Sequence, residues 1–192
     1  GGYGRGAGRV IETSQTVAVN AGIDATWDYA HDFERWASIM PGYQRSEIID
    51  ADNSVWVLKI GVGALVRTVT VQVCVERWAG PERVDFSFAL KGDPVTGRGS
   101  YRAAPIGPDQ TEMTLHVEVS GTGPMAPMWE AMGGPVLPKF AKGFAEELKS
   151  RIEAASAPVR AQSDDAGTPA RAGGVFARLI AWLRGLLGAK AV

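Results

Sequence analysis

A single cysteine, Cys74, stands in the 192 residues, so the chain can form no disulfide within itself and no cysteine-built metal cluster. Histidine is nearly as scarce. His31 and His116 lie far apart in the sequence, and a zinc site is not expected. No apolar run approaches the roughly 18 residues that span a bilayer. The glycine-rich opening, Gly1-Gly2-Tyr3-Gly4-Arg5-Gly6, holds no apolar segment of a secretory signal, so a cytoplasmic location is the expectation. Its glycines fit G-x-G-x-x-G in no register, which argues against a phosphate loop. A net charge of −1 excludes a strongly basic nucleic-acid binder, and 45% hydrophobic content excludes a disordered acidic chain.

The charge is unevenly spread. Residues 156–192 carry five basic groups, Arg160, Arg171, Arg178, Arg184 and Lys190, against only Asp164 and Asp165. The 155 residues before them are net acidic, so body and tail are expected to meet different partners.

Residues 1–10 read as a flexible lead. Ile11, Thr13, Val17 and Val19 then alternate with their neighbours as a half-buried strand does over 11–20. Asp24 stands where an N-cap would open a short helical stretch over 25–40, rich in Trp27, Tyr29, Phe33 and Trp36 and stopped by Pro41-Gly42. From about Tyr43 to Ser120 the period becomes two. Segments 43–50, 55–62, 66–78, 83–90, 97–103 and 111–120 alternate, parted by Asp52-Asn53, Gly80-Pro81, Gly92-Asp93-Pro94 and Gly107-Pro108 among other turn residues. Connections this short predict hairpins, hence an antiparallel meander. Trp56, Leu58, Ile60 and Val62 share a face, as do Val69, Val71, Val73 and Val75, then Val84, Phe86, Phe88 and Leu90, then Met113, Leu115, Val117 and Val119. Their alternates, such as Thr68, Thr70, Gln72, Glu76, Glu112, Thr114, His116 and Glu118, are expected to face water.

A long helix follows. Met125, Met128, Trp129, Met132, Val136, Phe140, Phe144 and Leu148 form one apolar stripe, with Lys139, Lys142, Glu146, Glu147 and Lys149 on the other side. Gly133-Gly134-Pro135 is expected to kink or split this helix. Residues 156–173 have linker composition and, as a flexible coil, a reach of about 25 Å.

This order of elements resembles the helix-grip domains of the START and polyketide-cyclase superfamily. The resemblance covers about residues 11–155 and is carried by the stretch from Trp27 to Trp36 and by the helix over 140–152. It implies an α+β fold in which a curved antiparallel sheet of about seven strands wraps a long C-terminal helix. Two short helices would follow the first strand, and a pocket would lie between sheet and helix. Within the superfamily, Met40-Pro41-Gly42 before a strand and Gly61-Val62-Gly63 at the next hairpin resemble the CoxG family associated with carbon monoxide dehydrogenase, as does an apolar C-terminal extension behind a linker. That likeness implies non-enzymatic binding of a respiratory quinone, menaquinone or ubiquinone, and its shuttling between the cytoplasmic membrane and a molybdenum hydroxylase. The stretch from Leu90 to Gly97 departs from the Gly/Ala-rich segment of that group, being bulkier and interrupted by Pro94.

The residues also speak for a ligand directly. One sheet packed on one helix has more inward apolar face than the helix can cover, so a cavity or a ligand must take up the remainder. The candidate lining from the sheet is Trp56, Leu58, Ile60, Val71, Val73, Phe86, Phe88, Tyr101, Leu115 and Val117; from the helix it is Met125, Met128, Trp129, Met132, Val136 and Phe140. The three methionines suit either an adaptable pocket wall or ordinary core. Catalysis finds little support. His116 alternates onto the outward face, His31 falls near the end of a short helix, and Cys74 shares the polar side with Thr70 and Gln72. Tyr101 and Arg102 are either carbonyl-orienting groups of a cyclase-like pocket or a surface strand pair. The rival readings are a polyketide aromatase/cyclase-like enzyme and a lipid-binding regulator.

Residues 174–192 form the tail. Val175, Phe176, Leu179, Ile180, Leu183, Leu186 and Leu187 fall at helical spacing on one face, with Trp182 at its edge and Arg178 and Arg184 flanking. Residues 175–187 would make about 20 Å of helix, too short for about 30 Å of hydrocarbon. The expectation is an interfacial helix that rests reversibly on the anionic inner face of the cell membrane; docking on the body or in the groove of a partner are the alternatives. Deletion of residues 174–192 should abolish co-sedimentation with anionic liposomes, which in the intact chain should weaken as salt rises. Sedimentation unchanged by the deletion would remove the anchor.

Overall fold

Two edges of one sheet are joined across its inner face, and this connection sets the architecture. The computed structural model describes residues 10–62, 64–124 and 126–157, apart from the side chains of Val62, Leu65, Trp129 and Met132. Strand β1 (Val10–Val19) leads into helices α1 (Ile23–Ala30) and α2 (Phe33–Ser38). Six strands follow: β2 (Tyr43–Ile48), β3 (Asn53–Val62), β4 (Leu65–Ala79), β5 (Arg83–Leu90), β6 (Val95–Gly107) and β7 (Gln110–Gly121). Helix α3 (Ala126–Ser156) ends the described chain. The sheet has the order β1-β7-β6-β5-β4-β3-β2, every pair antiparallel. Strands β2 to β7 are a plain meander of hairpins, while β1 pairs with β7 at the far edge, so α1 and α2 carry the chain from one edge to the other. Register shifts at Tyr43/Arg45, Val75/Arg77 and Pro105/Gly107 bend the strands locally. This is the curved sheet and long C-terminal helix expected from the sequence.

The period-two alternation is realised. Val69, Val71, Val73 and Val75 are buried, as are Met113 and Leu115, whereas Thr68, Gln72, Glu76 and Glu112 are exposed. Helix α3 packs chiefly on β1 and β7 and on α1. Its C-terminal half buries Ala141, Phe144, Ala145, Leu148 and Ile152, a stripe at helical spacing. Polar contacts fasten the same half to β1: the Asn20 N–H donates to Glu153 Oε1 at 2.9 Å, and Lys149 Nζ donates to the Ala18 carbonyl at 2.7 Å and to Glu153 at 2.6 Å. Burial pushes the Glu153 carboxyl up, but the bonds from Lys149 and Asn20 outweigh it and hold it below its ordinary range.

Three local expectations, at Asp24, in α3 and in β6, are corrected. The two short helices expected after the first strand are present and are parted at Asp32: its backbone is extended and its side chain accepts the Glu34 N–H at 3.0 Å, capping α2. Asp24 is therefore not an N-cap; it sits in the first turn of α1, whose cap position is Gly22. Helix α3 is not split at Gly133-Gly134-Pro135 and carries both Pro135 and Pro138 inside its 31 residues. Gly133 approaches β1 closely there, since a methyl group at this position would come within 3.2 Å of Ile11. Strand β6 also runs well beyond the expected 97–103, pairing with β7 from Val95 to Gly107.

Leu148 is fully buried beneath the sheet, while Val136 on the same helix is 49% exposed. In urea denaturation, Leu148→Ala should lower the unfolding free energy by about 3 kcal/mol, and Val136→Ala should change it by less than about 0.5 kcal/mol. Equal effects would contradict this placement of the helix.

Candidate ligand-binding face

The inner face of the sheet divides into a filled part and an uncovered part. Aromatic rings fill the first. Phe33 and Trp36 of α2 stack at 4.5 Å, and Phe33 meets Trp56, Trp78 and Phe86 at 5.4–6.2 Å. Trp36 touches Phe86, Tyr101 and Phe144 at 5.6–6.0 Å, joining α2, the sheet and α3 in one contact set. The buried indoles are satisfied: Trp36 Nε1 donates to the Ala30 carbonyl and Trp56 Nε1 to Ser54 Oγ, both at 3.0 Å. Glycine makes room for the rings. Gly97 and Gly99 of β6 pair with Phe88 and Phe86 of β5, and a methyl at either glycine would run into the facing phenyl ring.

The second part of the face has less over it. Ile60, Phe88, Leu90, Val117 and Val119 are all inward, yet each is only half-buried. On the N-terminal half of α3, Phe140 and Leu137 are half-buried, and Met128 and Val136 are 43% and 49% exposed. Apolar side chains of sheet and helix are thus left in partial contact with solvent toward the β3–β4 hairpin and the start of α3.

The sixteen candidate lining residues separate along this division. Trp56, Leu58, Val71, Val73, Tyr101 and Leu115 are buried members of the continuous core, and Phe86 packs into the aromatic cluster. Ile60, Phe88, Val117 and Phe140 belong to the uncovered part, and Met128 and Val136 stand at its exposed rim. Met125 and the side chains of Trp129 and Met132 lie outside the described residues. So does the tail with its expected helix, from Val175 to Leu187. Leu90 and Val119 join the uncovered part beyond the expected lining; the signal that finds them is the continuation of the same alternating rows. No helix among the described residues is long and apolar enough to cross a membrane.

Polar chemistry on the inner side is sparse. Among the described residues, Tyr101 is the one buried side chain with a titratable group. Its hydroxyl, like that of Thr26, is buried with no hydrogen-bond partner, and burial pushes the phenol well above its ordinary value. Tyr101 lies between Trp27 and Trp36, at ring distances of 6.4 and 6.0 Å. It is not a surface strand pair with Arg102, which faces outward and is exposed. His31 is exposed as expected, with Nδ1 2.9 Å from the Trp27 carbonyl. An open groove crosses the outer face of β3 to β7, lined by Val55, Gln72, Cys74, Ser87, Thr96 and Arg98 among others. It is walled by polar alternates and lies on the opposite side of the sheet from the apolar face.

No curated protein matches the chain by sequence. Its fold is similar to that of a conserved protein from Geobacillus kaustophilus, with a TM-score of 0.65 and 19% identity over 74% of this chain and 95% of that one. A START superfamily protein from Mycobacterium smegmatis gives a TM-score of 0.55 at 18% identity, covering 74% and 97%. The di-domain ARO/CYC StfQ from the steffimycin biosynthetic pathway gives 0.57 at 11% identity, covering 76% of this chain and 52% of that one. At such identities the likenesses show the fold. The sequence itself matches the profile of one family over residues 10–153, the whole sheet and most of α3. The chain belongs to the polyketide cyclase/dehydrase and lipid transport family.

Proposed function

We propose that this protein binds an apolar small molecule on the uncovered inner face and carries it without reacting with it. By the resemblance to the CoxG family, the cargo is a respiratory quinone. It would be exchanged between the cytoplasmic membrane, visited by the tail, and a molybdenum hydroxylase. The observation that carries the reading is the division of the inner face: five inward apolar residues of β3, β5 and β7 are only half-buried beside an α3 half whose Met128 and Val136 are exposed. Leaving this surface in water forgoes about 25 cal/mol per Å², which an apolar ligand would recover.

A cyclase-like reading draws on Tyr101. However, acid–base catalysis uses a group whose pKa lies near the working pH, and burial moves this phenol the opposite way. Among the described residues no buried Asp, Glu, His or Lys stands near it to act with it. The sparse inner chemistry favours binding over turnover.

Mass spectrometry of organic extracts from the purified full-length chain should detect an isoprenoid quinone or another lipid. Val117→Trp should reduce the amount carried at least tenfold while leaving the circular dichroism spectrum intact. Empty protein from several expression hosts, or equal loading of the variant, would defeat the proposal. Tyr101→Phe removes a hydroxyl that has no partner, so the ligand-free protein should be as stable as before or more so. Because the phenol is sealed in the aromatic core, menaquinone affinity should stay unchanged. A tenfold loss, the size of one lost hydrogen bond of about 1.4 kcal/mol, would put the hydroxyl at the ligand instead.

A further inference from the structure

The outer face of the β1–β7 pair carries a constellation that the ligand reading does not use. Glu12 of β1 and Glu118 of β7 stand directly opposite each other in the antiparallel register, and His116, two residues before Glu118, is opposite Ser14. Like charges placed directly opposite on a sheet repel. Here both carboxylates turn toward the same imidazole nitrogen: His116 Nε2 lies 3.1 Å from Glu118 Oε1 and 3.8 Å from Glu12 Oε2. One donor atom from each of the three residues falls within 4.8 Å of the others.

We propose that Glu12, His116 and Glu118 form a binding site for a borderline divalent metal ion of the Zn²⁺ class. The spacing suits it. Tetrahedral bonds of about 2.0–2.1 Å put neighbouring ligand atoms about 3.3 Å apart, and the two nitrogen–oxygen separations bracket that figure. The second ring nitrogen is already engaged, with Nδ1 2.9 Å from Ser14 Oγ. When Nδ1–H donates to Ser14, Nε2 presents its lone pair to the point where the carboxylates converge. This is the orientation that a hydrogen-bonded partner imposes on a metal-binding histidine. One imidazole with two carboxylates is a mixed nitrogen and oxygen set, which favours zinc, cobalt or manganese over magnesium or calcium.

Access is open. Strand β1 is the sheet edge, Glu12 is 64% exposed and the other two side chains are partly so, leaving a coordination position for water. Arg98 faces Glu118 across the β6–β7 register on the other side, and among the described residues no strand lies beyond Glu12. The competing occupant of the same point is a proton, which would make His116 an imidazolium bridging the two carboxylates. The scarcity of histidine does not argue against the site, because one histidine is enough when carboxylates supply the other ligands.

Isothermal titration of the full chain with Zn²⁺ at neutral pH should give one ion per chain, and Co²⁺ should develop a visible absorption band that Zn²⁺ displaces. His116→Ala and Glu12→Gln should each weaken binding by roughly tenfold or more, and Ser14→Ala by roughly tenfold through lost orientation. His31→Ala should leave it unchanged, and Mg²⁺ should not compete. Zn²⁺ should raise the melting temperature of the unaltered chain but not of His116→Ala, since the ion would tie β1 to β7. Absence of binding heat and of a Co²⁺ band, the result for a proton alone, would overturn the proposal. So would zinc binding that survives His116→Ala in full.

Discussion

One helix cannot cover the inner face of a seven-stranded sheet, and the rest of the molecule depends on how that shortfall is met. Helix α3 lies along β1 and β7. Helices α1 and α2, needed to bring the chain from one sheet edge to the other, bring Trp27, Phe33 and Trp36 with them. These rings, with Trp56, Phe86, Tyr101 and Phe144, fill the part of the face that the C-terminal half of α3 seals. Aromatic side chains bury large areas and pack at defined angles, so this region is committed to structure. The opposite part, where the same alternating rows continue, is left only half-buried.

Much of this is legible in the sequence because the physics behind it is local. A strand buried on one side alternates, and the rows through Val69–Val75 and Met113–Val119 alternate cleanly. Where one local signal competes with another, the sequence misleads. Asp24 and Asp32 are both capping residues by type, and only the extended backbone at Asp32 shows which of them breaks the helix. Gly133-Gly134-Pro135 carries the strongest helix-breaking composition in the chain, yet the helix passes through it. Alternation also says which side a residue faces without saying what covers it. Trp56 and Ile60 share a row, but one is 4% exposed and the other half-buried, because the aromatic cluster reaches only the first.

The same distinction separates core from site. Treating every inward residue as pocket lining mixes side chains that hold the fold with side chains that are free to meet a ligand. Leu58, Val71 and Val73 cannot line a binding surface while remaining buried in continuous core. Ile60, Phe88, Val117 and Phe140 can. Phe88 has a double role, for its ring lies over Gly97 and so keeps that part of the face apolar and smooth. The family includes both cyclases and lipid carriers, and the fold alone does not choose between them. The choice rests on the chemistry presented inward, where the one buried titratable group among the described residues is the Tyr101 phenol, beside the hydroxyls of Thr13, Thr26, Ser54 and Thr111.

Strand β1 joins these features to the outer surface. Its inward residues Thr13 and Val19 are buried, and the end of its backbone receives Lys149 while Asn20 donates to Glu153, so β1 seats α3. As an edge strand it has hydrogen-bonding groups open on one side, a liability that charged side chains commonly blunt. Glu12 is such a charge, but it sits opposite Glu118, and a lone acidic guard placed there would work against the pairing it protects. The proposed metal ion at His116 would resolve that conflict by turning a repulsive cross-strand pair into a bridge. Because β1 is paired on one edge only, a bridge to β7 bears on the strand that positions α3.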